Sequence, residues 1–309
     1  MTARSFLSSL LLLLCAVAAW WHFSNHPEAL RPLRSISGAQ LIALLGLHGA
    51  LIAINTVRFR LILHKCAERH IPFGPWTLLF VHGRFLNTFV PQLGNVYRSV
   101  ALKQQFAVSY TRYITTLIAV GWLSTTLNIW IAWLLIVVQH PTLQLGGVNA
   151  VFLIAVVAVL ITTGPFLTRT LFRLFLPRSQ RRIPIKITEV LSVTTLMIRD
   201  IPWLSKVLSL SVLVFVVAAI NIHLCFAMVN TTPLYGETAL FYTLLQLSNL
   251  IKLTPGNLGP QELAFGFLGA QSTVGLSEGI LASAIFRTGA VTMLCCCSAL
   301  LLPFRSVSK

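Results

Sequence analysis

Two stretches decide the fold: Asn87-Thr-Phe-Val-Pro91-Gln-Leu-Gly94-Asn-Val-Tyr-Arg98 and Asn249-Leu-Ile-Lys252-Leu-Thr-Pro255-Gly256-Asn257-Leu-Gly259-Pro-Gln-Glu262. Each interrupts an apolar segment with a proline-glycine turn, and each carries a charge seven residues after its proline. Within a bilayer, non-helical backbone must line a cavity or be buried in protein. Paired interruptions at corresponding places in two halves of a chain point to a transporter binding site.

The rest of the chain places these turns in a membrane. Of 309 residues, 56% are hydrophobic and only 10% are charged, with a mean hydropathy of +0.82. A soluble domain carries about 25% charged residues. The net charge of +16 would fit nucleic-acid binding in a soluble protein, but in a membrane protein positive-inside bias accounts for it. No nucleic-acid partner is expected.

Hydropathy predicts full spans at 6–23, 40–57, 113–138, 148–168, 207–229 and 281–302. Broken apolar stretches occupy 75–108 and 238–276, and a basic connector fills 169–206 with an amphipathic stretch at 185–198. Residues 6–23 read as an anchor, because no small-x-small cleavage site follows them. If both broken stretches re-enter on the side from which they came, 17 of the 23 Lys and Arg residues fall in cytoplasmic loops, among them Arg58, Arg60 and Lys65. Only Arg31 and Arg34 fall outside. Both termini are then expected in the cytoplasm.

That topology makes residues 40–138 and 207–302 inverted copies within one integral membrane domain spanning 1–309. The predicted fold is an all-α polytopic membrane protein with six full spans and two opposed re-entrant helical hairpins. Inverted repeats suit alternating access around a site near the bilayer midplane.

Arg84, Arg98, Lys252 and Arg287 remain inside apolar segments, accompanied by one acid, Glu262. Each charge near the bilayer centre costs about 2.5–3.5 kcal/mol on insertion scales. An excess of cations is tolerable in a wet cavity or against an anionic ligand. Snorkelling to the interface is the alternative for Arg84 and Arg98. Arg84, Arg98 and Arg287 are the expected phosphate-binding residues, with Lys252 assisting and Asn87 and Asn257 as polar neighbours. Glu262 is the expected counter-charge, paired with Arg98 or Arg287. Pro91, Gly94, Pro255, Gly256 and Gly259 are expected to shape the hairpin tips, with Gly94 allowing the first bend.

Other chemistry has little to work with. There is no glycine-rich nucleotide loop, no nucleophile elbow and no paired-carboxylate motif among seven acidic residues. His48, His82 and His223 lack metal-ligand spacing and read as core hydrogen-bonding groups. The six cysteines read as small packing residues, with Cys66 in a basic loop. The tryptophans, Trp122, Trp130 and Trp133 among them, read as interface belt and packing. No metal, no cofactor and no enzymatic activity is expected.

The stretch from Arg84 to Arg98, followed by Leu102-Lys103, resembles the first motif of the lysylphosphatidylglycerol synthase transmembrane-region family, also called the flippase-like domain family. Leu253 to Glu262, then Arg287, resembles its second motif. The resemblance covers about residues 5–303. Two positions depart from it: Asn95 stands where the first motif often has Glu, and Asn257 replaces the second glycine of a Pro-Gly-Gly run. The soluble aminoacyl-transfer domain is absent, so lysine transfer is not implied. The resemblance implies a bacterial inner-membrane protein that moves a lipid between leaflets. The lipid is an aminoacylated or other phospholipid, or a polyprenyl-phosphate-linked sugar. A membrane-embedded transferase acting on a lipid phosphate and a small-solute or ion transporter are the rival readings.

Overall fold

The structure, a computed structural model, describes residues 17, 20–22, 24–175, 200–251, 254 and 257–301. Most of the predicted span 6–23, the amphipathic stretch 185–198, and Lys252, Pro255 and Gly256 lie outside the described residues.

After a short 3-10 helix at Pro27–Ser35, the chain forms α1 (Gly38–Ala67), α2 (Phe73–Phe89), α3 (Leu93–Phe106) and α4 (Tyr110–Gln139). A two-stranded hairpin follows, β1 (Gln144–Leu145) against β2 (Val148–Asn149). Then come α5 (Ala150–Phe175), α6 (Ile201–Ala227), α7 (Tyr235–Ile251), α8 (Pro260–Gln271) and α9 (Leu276–Leu301). Four of these helices, α1, α4, α6 and α9, are long and apolar enough to cross a membrane.

Local chemistry sets the helix ends. Ser37 caps α1 in a capping box: its hydroxyl accepts from the Gln40 N–H at 3.2 Å, and the Gln40 side chain accepts from the Ser37 N–H at 2.9 Å. Ser109 caps α4 by accepting from the Arg112 N–H. The β-hairpin turns on Gly146 and Gly147, both at positive φ (57° and 81°), as a two-residue hairpin turn demands. This small hairpin carries no hydropathy signal.

α1 runs ten residues past the predicted end of its span. Hydropathy stops at the first arginine, but the helix continues because its basic residues find partners. The Arg60 Nε donates to the Ile71 carbonyl at 2.9 Å, and Lys65 pairs with Asp200. Cys66, expected in a loop, is therefore helical and buried. The predicted connector also shrinks: residues 169–175 continue α5, and Ile201 opens α6 on the cap of Asp200.

Trp122, Trp130 and Trp133 join α4 to α5. Their indole N–H groups donate to Ile161 O (2.9 Å), Thr162 Oγ1 (2.9 Å) and Val151 O (3.1 Å). The expected belt residues are thus cross-links between two helices. Cys295 and Cys296 are exposed on α9 and so do not pack as expected, whereas Cys225 is buried.

On either side of α5 the element order is the same: a long helix, two short ones, a long one. The lengths are 30, 17, 14 and 30 residues, then 27, 17, 12 and 26. The packing repeats as well. α1 packs on α6, α2 packs on α9, and α7 packs on α4. Exchanging α1–α4 for α6–α9 maps these neighbours onto one another, and the contacts within each set of four as well.

Two apolar cores form. One gathers Phe59, Ile62, Leu63, Trp76, Phe80 and Tyr113 from the first set of helices. The other gathers Phe226, Phe241, Phe265, Leu281 and Phe286, largely from the second.

Candidate functional site

A cavity of about 990 Å³ lies between the two cores, walled by Phe59, Phe80 and Val120 from one and by Val214, Tyr242 and Phe286 from the other. Four arginines line it: Arg58, Arg84, Arg98 and Arg287. So do Asn87, Pro91, Asn95 and Asn257. No Asp or Glu among the described residues lines it. Ile118, Trp122 and Ile161 on one side and Val291 and Leu294 on the other give it apolar flanks.

The first turn sets three of these groups. Pro91 starts it, and the αL conformation is taken by Gln92 (φ 67°). Gly94, expected to supply the bend, is instead helical. A Cβ there would run into the Gly83 carbonyl of α2, so glycine is needed for close approach of the two helices. The Asn87 carboxamide oxygen accepts from the Gly94 N–H at 2.7 Å and ties the arms together.

Arg98 then projects from α3 into the space beside Gly83. It is only 4% exposed, which rules out snorkelling. Its Nε donates to the Gly94 carbonyl (3.2 Å) and its Nη2 to Asn95 Oδ1 (2.7 Å). Its guanidinium and that of Arg84 lie 5.5 and 5.6 Å from the centroid of the same Phe80 ring, a distance at which cation–π attraction operates. Arg84 has no hydrogen-bond or carboxylate partner among the described residues.

The second turn is built differently. Asn257 (φ 60°) and Gly259 (φ 89°) carry the positive φ angles, and Pro260 opens α8 at a position where no backbone donor is needed. Glu262 Oε2 accepts from the Gly259 N–H at 2.8 Å. Its Oε1 lies 3.0 Å from Arg287 Nη2. Arg287 Nη2 also donates to the Asn257 carbonyl at 2.9 Å, while its Nε and Nη1 have no partner among the described residues. Of the two expected partners for Glu262, the structure places Arg287.

Several lining residues were missed in the sequence, Arg58 and His48 among them. Arg58, assigned to a cytoplasmic loop, is a 5% exposed residue of α1. Its Nη2 donates to Asn55 Oδ1 (2.8 Å) and its Nη1 to Ser211 Oγ (3.3 Å). The spacing Asn55-x-x-Arg58, one helical turn, was the available signal. His48 also reaches the cavity, edge-on to Phe286 at 4.7 Å. His82 and His223 do not line it.

Four helices long and apolar enough to cross a bilayer, around a cavity lined by four guanidinia of which one meets a carboxylate, mark a multi-pass helical membrane protein. The chain belongs to the family described as the lysylphosphatidylglycerol synthase TM region, whose model matches residues 5–297. That family is a membrane domain with lipid-related functions. No curated protein and no solved structure matches the chain.

Proposed function

We propose that this protein is a lipid transporter that moves an anionic, phosphate-bearing lipid between bilayer leaflets. The lipid is a phospholipid or a polyprenyl-phosphate-linked sugar, and the chain acts as a carrier, not as an enzyme. One observation carries the reading: four arginines line a single cavity that no described carboxylate lines. Guanidinium groups bind phosphate through paired, charge-assisted hydrogen bonds. The apolar flanks at Ile118, Trp122 and Leu294 suit acyl or prenyl chains left in lipid while the headgroup enters.

In this reading Arg84, Arg98 and Arg287 hold the phosphate, with Arg58 completing the set and Lys252 assisting. Asn87 and Asn257 orient the headgroup. Glu262 holds Arg287 until substrate arrives. The two turns, at Pro91 and at Asn257 to Gly259, are the tips of opposed re-entrant hairpins, each set in one half of an inverted repeat. The matched helix order and neighbours of α1–α4 and α6–α9 support this arrangement. Six spans with both termini in the cytoplasm of a bacterial inner membrane complete it, on the strength of the basic-residue bias.

Reconstitution into liposomes tests the function. Exchange of a labelled anionic phospholipid between leaflets, with its headgroup chemically unchanged, is the expected result. A modified headgroup would show a transferase and overturn the carrier reading. Arg287→Ala and Arg84→Ala should each slow exchange, and intact exchange in both would remove the site assignment.

A further inference from the structure

We infer that the cavity takes a lipid headgroup of at least two negative charges, a terminal phosphomonoester or a diphosphate, and that Asn95 sets this preference by leaving Arg98 without a carboxylate. The inference rests on the lipid-carrier reading above and names its substrate class.

The charge inventory carries it. Arg98 is buried and its hydrogen bonds end on neutral acceptors, the Gly94 carbonyl and Asn95 Oδ1. Arg58 is buried and ends on Asn55 and Ser211, also neutral, with its Nε unpartnered. Arg84 has neither kind of partner among the described residues and lies within electrostatic reach of both Arg98 and Arg58. Three guanidinia with no described carboxylate partner therefore share a single cavity. Arg287 is balanced by Glu262, and its buried Nε and Nη1 have no partner among the described residues.

Unpaired buried cations are strongly disfavoured, so the ligand that belongs here must bring comparable negative charge. A phosphodiester brings one charge and leaves most of the excess. A phosphomonoester or diphosphate brings two or more, with enough oxygens to engage several arginines at once.

The same inventory disfavours cationic headgroups. No described carboxylate lines the cavity to receive an ammonium group. Both oxygens of Glu262 are engaged, one by Arg287 and one by the Gly259 N–H. A lysylated phosphatidylglycerol, with one phosphate and two ammonium groups, would meet repulsion from three arginines. This member of the family is thus built for a headgroup of charge opposite to that of the lipid named in the family's description.

The test is binding of defined lipids to the purified full chain in detergent, ranked by native mass spectrometry. The probes are phosphatidic acid, a polyprenyl diphosphate, phosphatidylglycerol and lysylphosphatidylglycerol. The first two each carry at least two negative charges on a terminal phosphate, one a monoester on acyl tails and one a diphosphate on a prenyl tail, and whichever binds more tightly names the preferred class. At least one should bind about tenfold or more tightly than phosphatidylglycerol, as one additional charged hydrogen bond implies. Phosphatidic acid binding should strengthen as pH rises through about 6, where a phosphomonoester gains its second charge. Phosphatidylglycerol gains no charge there. His48 and Tyr242, the other titratable groups lining the cavity besides the arginines, act on both lipids and are controlled by that comparison.

Asn95→Asp places a carboxylate beside Arg98, in the first turn of α3 where an acid suits the helix. It should lower the preference for the dianionic lipid about tenfold and raise binding of the lysylated lipid. Arg84→Gln removes a guanidinium that makes no hydrogen bond, and should weaken dianion binding without disturbing the fold. Equal or tighter binding of phosphatidylglycerol or its lysylated form overturns the inference. So does an unchanged lipid ranking in both variants. Tight dianion binding without leaflet exchange would overturn the carrier reading alone, whereas preferential binding and exchange of phosphatidylglycerol would overturn only the charge inference.

Discussion

Arg287 connects the second turn to the last helix through one nitrogen. Its Nη2 meets both Glu262 Oε1 and the Asn257 carbonyl, and Glu262 in turn caps α8 through the Gly259 N–H. The side chains of the pair are only 13% and 18% exposed, so solvent screens them weakly. A double-mutant cycle of Glu262→Gln and Arg287→Gln, read by thermal unfolding in detergent, should give a coupling of about 1–3 kcal/mol. A coupling near zero would mean the two side chains do not act as a pair. A more exposed pair joins Asp200 to Lys65, and Asp200 also caps α6 by accepting from the Trp203 N–H. Lys65 first, and the Trp203 N–H second, hold its carboxyl below the usual aspartate range. A lowered carboxyl stabilises the fold above its unfolded value and loses that contribution as pH falls through the folded one. Asp200→Asn should therefore melt earlier than the parent at pH 7, with the difference beginning to shrink near about pH 4, the ordinary aspartate value, and gone only below the lowered folded one. A difference that persists in acid would assign the effect to the cap and not to the charge.

At two helix crossings, α2 on α3 and α8 on α9, the chains touch where side chains are absent. Gly94 of α3 rests on the Gly83 carbonyl of α2, and Gly279 of α9 rests on the Phe265 carbonyl of α8. Small residues at such crossings let membrane helices approach closely, which is the main source of their association in lipid. Gly94→Ala should lower stability by about 1–3 kcal/mol, the usual cost of overpacking. Gly74→Ala at the start of α2, where a Cβ would meet nothing within 4 Å, should be neutral. Comparable melting of the two variants would show that the crossing is loose. These contacts also explain which parts of the fold were legible. The long apolar helices and the Pro91 break follow from composition and turn chemistry, which act locally. The end of α1 did not, because Arg60 and Lys65 are retained in the helix by Ile71 and Asp200, partners that hydropathy ignores. Arg58 was misplaced for the same reason: its acceptors Asn55 and Ser211 lie within the membrane domain, and Ser211 is on another helix. Gly94 was legible as special, but its role is distance to Gly83 and not backbone freedom, a distinction only tertiary packing draws. For the site, Arg84, Arg98 and Arg287 could be singled out as intramembrane cations, whereas their convergence on one cavity depends on how α2, α3 and α9 pack.

Two apolar cores joined around a polar gap give the whole molecule a natural place to move. The gap holds charge that neither core can bury. On the transport reading proposed above, the repeated neighbour pattern, α2 on α9 and α7 on α4, would let one pair of short helices shift while the other stays packed. Inverted repeats of this kind work only if the hairpins enter from opposite faces, so the orientation of the connecting loops is the decisive property. Basic-residue bias puts the turn between α1 and α2, with Glu68 at its start, in the cytoplasm, and the β-hairpin after α4 outside. Glu68 and the Gly146-Gly147 turn are exposed, so each can report on its own side. In intact cells, Gly147→Cys should react with a membrane-impermeant thiol reagent, while Glu68→Cys should react only after permeabilisation. The parent chain supplies the background, because Cys295 and Cys296 are exposed on α9 within an apolar helix and not in a loop. Reversed labelling would invert the molecule and set the basic loops on the wrong side. Labelling of both sites from outside would mean that the chain crosses at the Pro91 turn instead of returning, and would remove the opposed hairpins on which the transport reading depends.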